Sequence, residues 1–370
     1  MDTLVTSIHH ITLCPGSAQA DVDFFTGVLG QRLVKQTVLL DGNIPVYHFY
    51  YGNGDAEPGS IATSFPYRRR KGRPGSGQVS TLTYAVPRGS LPFWVAHLAQ
   101  FGALDGGTDE RFGAAFVRAR HPAGQMFELM EADDPRRPWT TCAIGADVAT
   151  RGFHAAVLSV REVAEAEQFF VDALGFRKVG IDGDFHRLAL PGGNPAGLVD
   201  LHHQPDRAPG SWSFGEGTFH HIAFGVQDDE QLANQKALYE ELGYTDASEV
   251  KDRYYFHSMY VRAPGGILVE CTANVDEGFC IDETREELGT HLNLPPWYED
   301  QRSTIVSMLE DVELPEANRP RPPDSQIARP AGPLTQSAPP SKTAPPSRTD
   351  AKFGAGDRMA VHAGDAPARY

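Results

Sequence analysis

The chain has 370 residues, 41% hydrophobic and 10% aromatic, and a net charge of −15. That sign disfavours a nucleic-acid partner, because a phosphate backbone selects for Lys and Arg. The N-terminus MDTLVTSIHH has no basic start or apolar run, and no stretch is long enough to cross a bilayer, so a cytoplasmic protein with no membrane partner is expected.

In chain order, the first element is SIHHITL, Ser7 to Leu13, an apolar, β-branched run carrying a His-His pair. VDFFTGVLG follows, with Val22, Phe25, Val28 and Leu29 on one helix face and Gly30 as the stop. Three strand candidates come next: RLVKQTVLL, VYHFYYG and SIATSFPY. A weaker copy starts at Val79 with STLTYAV, a helix SLPFWVAHLAQFGA ending at Gly102, and strands RFGAAFVRA and QMFELMEA. DDPRRPWTTCAIGADVA reads as a connector, over 134–150. The third copy is FHAAVLSV, the helix EVAEAEQFFVDALGF, and strands FRKVGI, HRLAL and GLVDLHH. The fourth is HHIAFGV, the helix DDEQLANQKALYEELGY, and strands YYFHSMYVRA and GILVECTA. Residues 274–313 read as helical pieces on the outside, and 314–370, rich in Pro, Ser, Ala and Arg, as a disordered tail.

The fold class is therefore α+β: four units of strand, helix and about three strands. No single unit closes a core, whereas pairs can curve their sheets around a shared cavity as two open barrel-like domains. Taken in chain order, the pairs are 7–133 and 151–273. The four cysteines, Cys14, Cys142, Cys271 and Cys280, lack CxxC spacing and read as reduced, buried thiols.

Strand alternation puts His10 and Thr12 on one face, with His9 and Ile11 on the other. His221 occupies the same place in the fourth unit. The second unit offers no histidine there, and the third aligns His154 with His220, leaving Ala155 at the position of His221. The last strands carry Glu128, Asp200 and Glu270 in units two, three and four, and no carboxylate in unit one. If units one and four share a cavity, it receives His10, His221 and Glu270. If units two and three pair, they bring carboxylates without an aligned histidine, and Glu128 and Asp200 are vestigial or salt-bridged. Two imidazoles, one carboxylate and open positions form the facial arrangement of non-haem Fe(II) oxygenases, and Mn(II) suits the same set. A lone histidine at a strand start is usually structural; the repeated register is what favours a ligand role here.

The four units resemble the βαβββ modules of the vicinal oxygen chelate superfamily, which includes glyoxalase I, fosfomycin resistance proteins and extradiol dioxygenases. MYVRAPGGILVE resembles the second half of the extradiol dioxygenase signature, with Tyr260, Pro264, Gly266 and Glu270 in the matching places. The stretch IHHITLCPGSAQADVDFFTGVLGQRLVKQTVLLDGNIPVYHFYYG is similar to the hydroquinone ring-cleaving dioxygenases, and the similarity spans about residues 7 to 310. The resemblance implies Fe(II) on His10, His221 and Glu270, with His9, Thr12, His220, Arg253 and Tyr260 around the substrate. Strict alternation points His9 and His220 away from that face, so each would need a bulge or reach in from the rim. The implied reaction opens a hydroquinone-type ring, chlorinated or otherwise substituted, with O2; a homo-oligomer is expected. His257 lies three residues before Tyr260, off the signature's spacing, so catechol is not the favoured substrate. His257, His48, His186, His202 and His203 read as structural. The rival readings are a glyoxalase-like isomerase, which would want more than one carboxylate, and a non-catalytic binder of aromatic or quinone compounds, which would not need iron.

Overall fold

The computed structural model describes residues 5–39, 44–68, 70–211 and 214–316. The expected tail from 317 onward lies outside the described residues, while Leu314, at its expected start, packs against the core.

All four modules form. The first runs β1 (Ser7–Cys14), α1 (Ala18–Val22) continued by a π-helical turn over Asp23–Val28, β2 (Arg32–Leu39), β3 (Val46–Gly52) and β4 (Ile61–Ser64). Gly30 ends the helical stretch at φ +65°, and a Cβ there would lie 2.5 Å from Ile144 of the connector. The second runs β5 (Gln78–Val86), α2 (Leu91–Gln100), β6 (Leu104–Arg111), β7 (Ala114–Arg120) and β8 (Met126–Glu131). The third runs β9 (Gly152–Val160), α3 (Val163–Asp172), β10 (Arg177–Asp182), β11 (Phe185–Ala189) and β12 (Leu198–His203). The fourth runs β13 (Thr218–Gly225), α4 (Asp229–Glu241), β14 (Lys251–Asp252), β15 (Phe256–Arg262) and β16 (Leu268–Asn274).

The strands make two curled eight-stranded sheets, ordered β14-β15-β16-β13-β1-β4-β3-β2 and β10-β11-β12-β9-β5-β8-β7-β6. The sheets therefore pair the first module with the fourth and the second with the third, rather than the first with the second and the third with the fourth as chain order suggests. The reason lies in the first strands. Every residue of β1 and β13 is buried, so each needs a neighbour on both sides and takes a central place. Exposed β10 and the Gly-rich, polar β6 fall at edges. Edge strands need no apolar alternation, and this is why β6 and the two-residue β14 escape a reading by pattern.

One continuous apolar core joins all four modules. Phe25 of the π-helical turn stacks on Tyr51 of β3 at 4.2 Å, fixing which face of β3 points to the core. The segment 274–313 is less helical than expected, with short 3-10 turns at Gly278–Ile281 and Pro296–Gln301 and a short α5 (Arg302–Met308). Its first part is pinned instead by the buried Lys35, whose Nζ lies 2.6 Å from Asp282 and 2.5 Å from Glu283. Cys14 and Cys271 are buried in strands, but Cys142 in the connector and Cys280 in a 3-10 turn are exposed; all four are free. No described helix is long and apolar enough to cross a membrane.

Candidate metal centre

β1 and β13 are antiparallel neighbours, and each carries a bulge. Ile8 faces Phe224 and His10 faces Ala223, so His9 is the extra residue on β1. Thr12 faces His221 and Leu13 faces Phe219, so His220 is the extra residue on β13. A bulge shifts the side-chain phase by one residue. Ile8 and Ile11 both reach the core, as do Phe219 and Ile222, while both histidines between them turn to the concave face. Strict alternation is thus overturned at His9 and His220, which lie beside His10 and His221.

The donor atoms converge. His10 Nε2 lies 3.0 Å from His221 Nε2. Glu270 Oε2 lies 2.8 Å from His221 Nε2 and 3.5 Å from His10 Nε2. All three side chains are buried, and their ligand atoms lie within 4.8 Å of one another. Among the described residues this is the group that could hold a metal ion.

A chain of hydrogen bonds from Asn274 fixes the tautomers of His9 and His10. His9 Nε2–H donates to Asn274 Oδ1 at 2.9 Å, so His9 Nδ1 is a lone pair that accepts the His10 Nδ1–H at 2.9 Å. His10 Nε2 is then a lone pair aimed at the cluster. His221 Nδ1 pairs with His220 Nδ1 at 2.8 Å, and Thr12 Oγ1 lies 2.9 Å from His221 Nε2 and 2.6 Å from Thr63 Oγ1. Burial, then the neighbouring His10, lowers His9 to about 4. Burial also lowers His221, and burial with His221 beside it puts His220 well below its ordinary value. The result is a buried carboxyl group facing the Nε2 atoms of two imidazoles, and neither Glu270 oxygen has a hydrogen-bond partner. Two buried imidazoles and one buried carboxyl group are a donor set that fits a divalent cation.

Tyr260 stands directly opposite Glu270 in the β15–β16 ladder, its ring 5.7 Å from His221 and its hydroxyl 3.4 Å from Arg253 Nη2. Burial, then the Glu270 charge, pushes the Tyr260 hydroxyl up, so it stays protonated. His257 is outside the cluster, bonded to Asp229 at 2.8 Å. His186 pairs with Glu167 and His202 stacks on Phe185, both in the other sheet.

That other sheet repeats the geometry without the ligands. Ser80 and His154 are its bulge residues. Register then puts Thr81 and Ala155 where the first sheet has His10 and His221, and Asp200 where it has Glu270. The Arg111 guanidinium fills the space, 2.6 Å from Glu128 and 3.1 Å from Asp200, and Arg187 binds Asp200 at 2.7 Å.

Two residues near the cluster escape the sequence reading. Asn274 acts from the end of β16, a position without a pattern. His48 sits on β3, where alternation of VYHFYYG from the core-facing Tyr51 would have turned it to the concave face.

Comparison with known proteins agrees with this geometry. Residues 152–271 match the Glyoxalase/Bleomycin resistance protein/Dioxygenase superfamily. The chlorohydroquinone/hydroquinone 1,2-dioxygenase of Sphingobium indicum is 40% identical over 312 residues, which cover 83% of this chain and 97% of that protein. A crystal structure from Bacillus subtilis, described as a "putative dioxygenase", superposes with a TM-score of 0.79 at 37% identity, covering 85% of this chain and 99% of the other. Glyoxalase I from Zea mays shares the fold, with a TM-score of 0.53 at 15% identity over 72% of this chain and 92% of its own. The chain belongs to the glyoxalase/bleomycin resistance/dioxygenase superfamily and, within it, to the ring-cleaving dioxygenases.

Proposed function

We propose that the protein opens a hydroquinone-type ring with O2, using Fe(II) held by His10, His221 and Glu270. The observation that carries this reading is the buried pair of unpartnered Glu270 oxygens facing the Nε2 atoms of His10 and His221. Two histidines and one carboxylate leave open positions on one face of the ion, as Fe(II) oxygenases require, and the single carboxylate argues against the isomerase reading. Bound there, the ion would lower the pKa of a substrate hydroxyl and bring O2 and the ring into electronic contact. The chlorohydroquinone/hydroquinone relative supports the substrate class.

The remaining roles fall to the chain's own groups. Thr12 and Thr63 present hydroxyls beside His221 and hold its ring. Arg253, with Tyr260 beside it, is placed to orient a substrate oxygen and to stabilise negative charge as it develops. His220 is neutral and buried, its ring 3.7 Å from that of Phe214, and is suited to move a proton at the cavity wall. His9 sets the His10 tautomer. Tyr50, Tyr255, Phe256, Phe279 and Leu288 pack together beside His9 and His10 as an apolar wall at that end of the site.

The test is oxygen uptake by anaerobically Fe(II)-reconstituted protein, first with hydroquinone and then with catechol. One O2 consumed per hydroquinone ring opened is the expected result. Uptake with catechol alone, or with neither despite one bound iron per chain, overturns the substrate assignment.

A further inference from the structure

The concave face holds one more histidine that this scheme leaves idle. On β3, Tyr47, Phe49 and Tyr51 point to the core, so His48 and Tyr50 face the cavity. His48 Nδ1 lies 3.0 Å from the Tyr50 hydroxyl. Its Nε2 is buried and has no hydrogen-bond partner. The ring sits 4.4 Å from Phe65, whose own ring is 5.5 Å from His220.

The register places this pair relative to the metal centre. Tyr50 lies opposite Thr63, Thr63 opposite Thr12, and Thr12 opposite His221, in one lateral row. β3 is two strand spacings from β1, roughly 10 Å across the sheet. A buried imidazole nitrogen without a partner is costly, and the cost falls away when a ligand supplies one. Burial, then the neighbouring His10, holds His48 well below its ordinary pKa, so the ring is neutral and can give or take one hydrogen bond.

We propose that His48, steadied by Tyr50, is a specificity-determining residue that hydrogen-bonds the second hydroxyl of a para-dihydroxybenzene. The proposal rests on the hydroquinone reading above and deepens it. A catechol brings both hydroxyls to the metal and has nothing to offer a distant imidazole. A hydroquinone held at the metal by one hydroxyl carries the other across the ring, toward the opposite wall. A site built to bond a hydroxyl rejects the analogue that lacks it, because its own polar group is then stranded.

The test compares wild type, His48→Phe and His48→Gln, each loaded with Fe(II) and assayed for metal content. Anaerobic calorimetry measures binding of hydroquinone and of 4-methylphenol, which has similar shape but no second hydroxyl; oxygen uptake gives kcat and KM for hydroquinone. Wild type should prefer hydroquinone by about tenfold or more. His48→Phe should bring the two ligands within about twofold of each other and lower kcat/KM about tenfold, at one metal per chain. His48→Gln, which keeps a hydrogen-bonding group, should restore most of the preference, and His48→Leu replaces Phe if the larger ring blocks loading. An unchanged ligand preference in His48→Phe, with wild type active on hydroquinone, overturns this proposal alone. Wild type that neither binds nor turns over hydroquinone overturns the substrate reading, and this proposal falls with it.

Discussion

At the scale of single residues, the metal centre is held in tension by Glu270. Its two oxygens are buried without partners and face the Nε2 atoms of His10 and His221, an arrangement that a cation relieves. Metal binding should therefore stabilise the wild type strongly, by about 2.7 kcal/mol at a free concentration one hundred times Kd. In Glu270→Ala that gain should vanish together with oxygen uptake, while the metal-free form melts no lower than wild type. Thermal unfolding with and without Fe(II) checks both halves; an undiminished metal-induced shift in the variant would remove Glu270 from the ligand set. Asn274 acts one step further out, by holding the proton on His9 Nε2 and so the lone pair on His10 Nε2. Partners that orient ligands typically matter by about 10–100-fold in affinity. Asn274→Ala should weaken metal binding by that order in competition with a chelator, and an unchanged affinity would mean that His9 keeps its tautomer unaided. The second histidine of each pair was legible in the sequence, because the same register recurs 211 residues apart. Asn274 and His48 were not, since their roles come from distances across strands that no local pattern encodes.

At the scale of elements, periodicity located the module helices and most of the strands, but not the bulges. A bulge is a property of two paired strands, and a single strand read alone carries no sign of it. That is why HHITL yielded the correct face for His10 and Thr12 and the wrong one for His9. The turn Pro264–Gly266, which leads into β16 and so into Glu270, shows a similar dependence on a partner. Gly77, just before β5, has φ +77°, and a Cβ there would lie 2.0 Å from the carbonyl oxygen of Gly265. Gly77→Ala would strain its own backbone and push on the turn that precedes Glu270. Strain and overpacking together should cost about 2–4 kcal/mol, read from the urea midpoint, and metal affinity should fall as well. A variant of wild-type stability would show that the Gly265 turn yields freely.

At the scale of the whole molecule, one architecture is built twice and filled differently. The first sheet lines its concave face with histidines and a carboxylate; the second places the Arg111 guanidinium between Glu128 and Asp200. The sequence showed four repeats and two stray carboxylates, yet not the cation that answers them, because Arg111 ends the polar edge strand β6 that the pattern missed. Its charge does in one half what the metal is proposed to do in the other: it compensates buried carboxylates. Removing one member of such a network costs about 3–5 kcal/mol, whereas replacing the whole set with apolar groups is often neutral. Arg111→Met should therefore destabilise by that amount in urea, leaving Glu128 uncompensated apart from the more distant Arg118 at 3.7 Å. Adding Glu128→Leu should recover much of the loss. Neither change should alter metal content per folded chain, because none of these residues belongs to the first sheet. If Arg111→Met instead lost metal at unchanged stability, the two halves would be coupled in a way that the division into a catalytic sheet and a structural sheet does not allow.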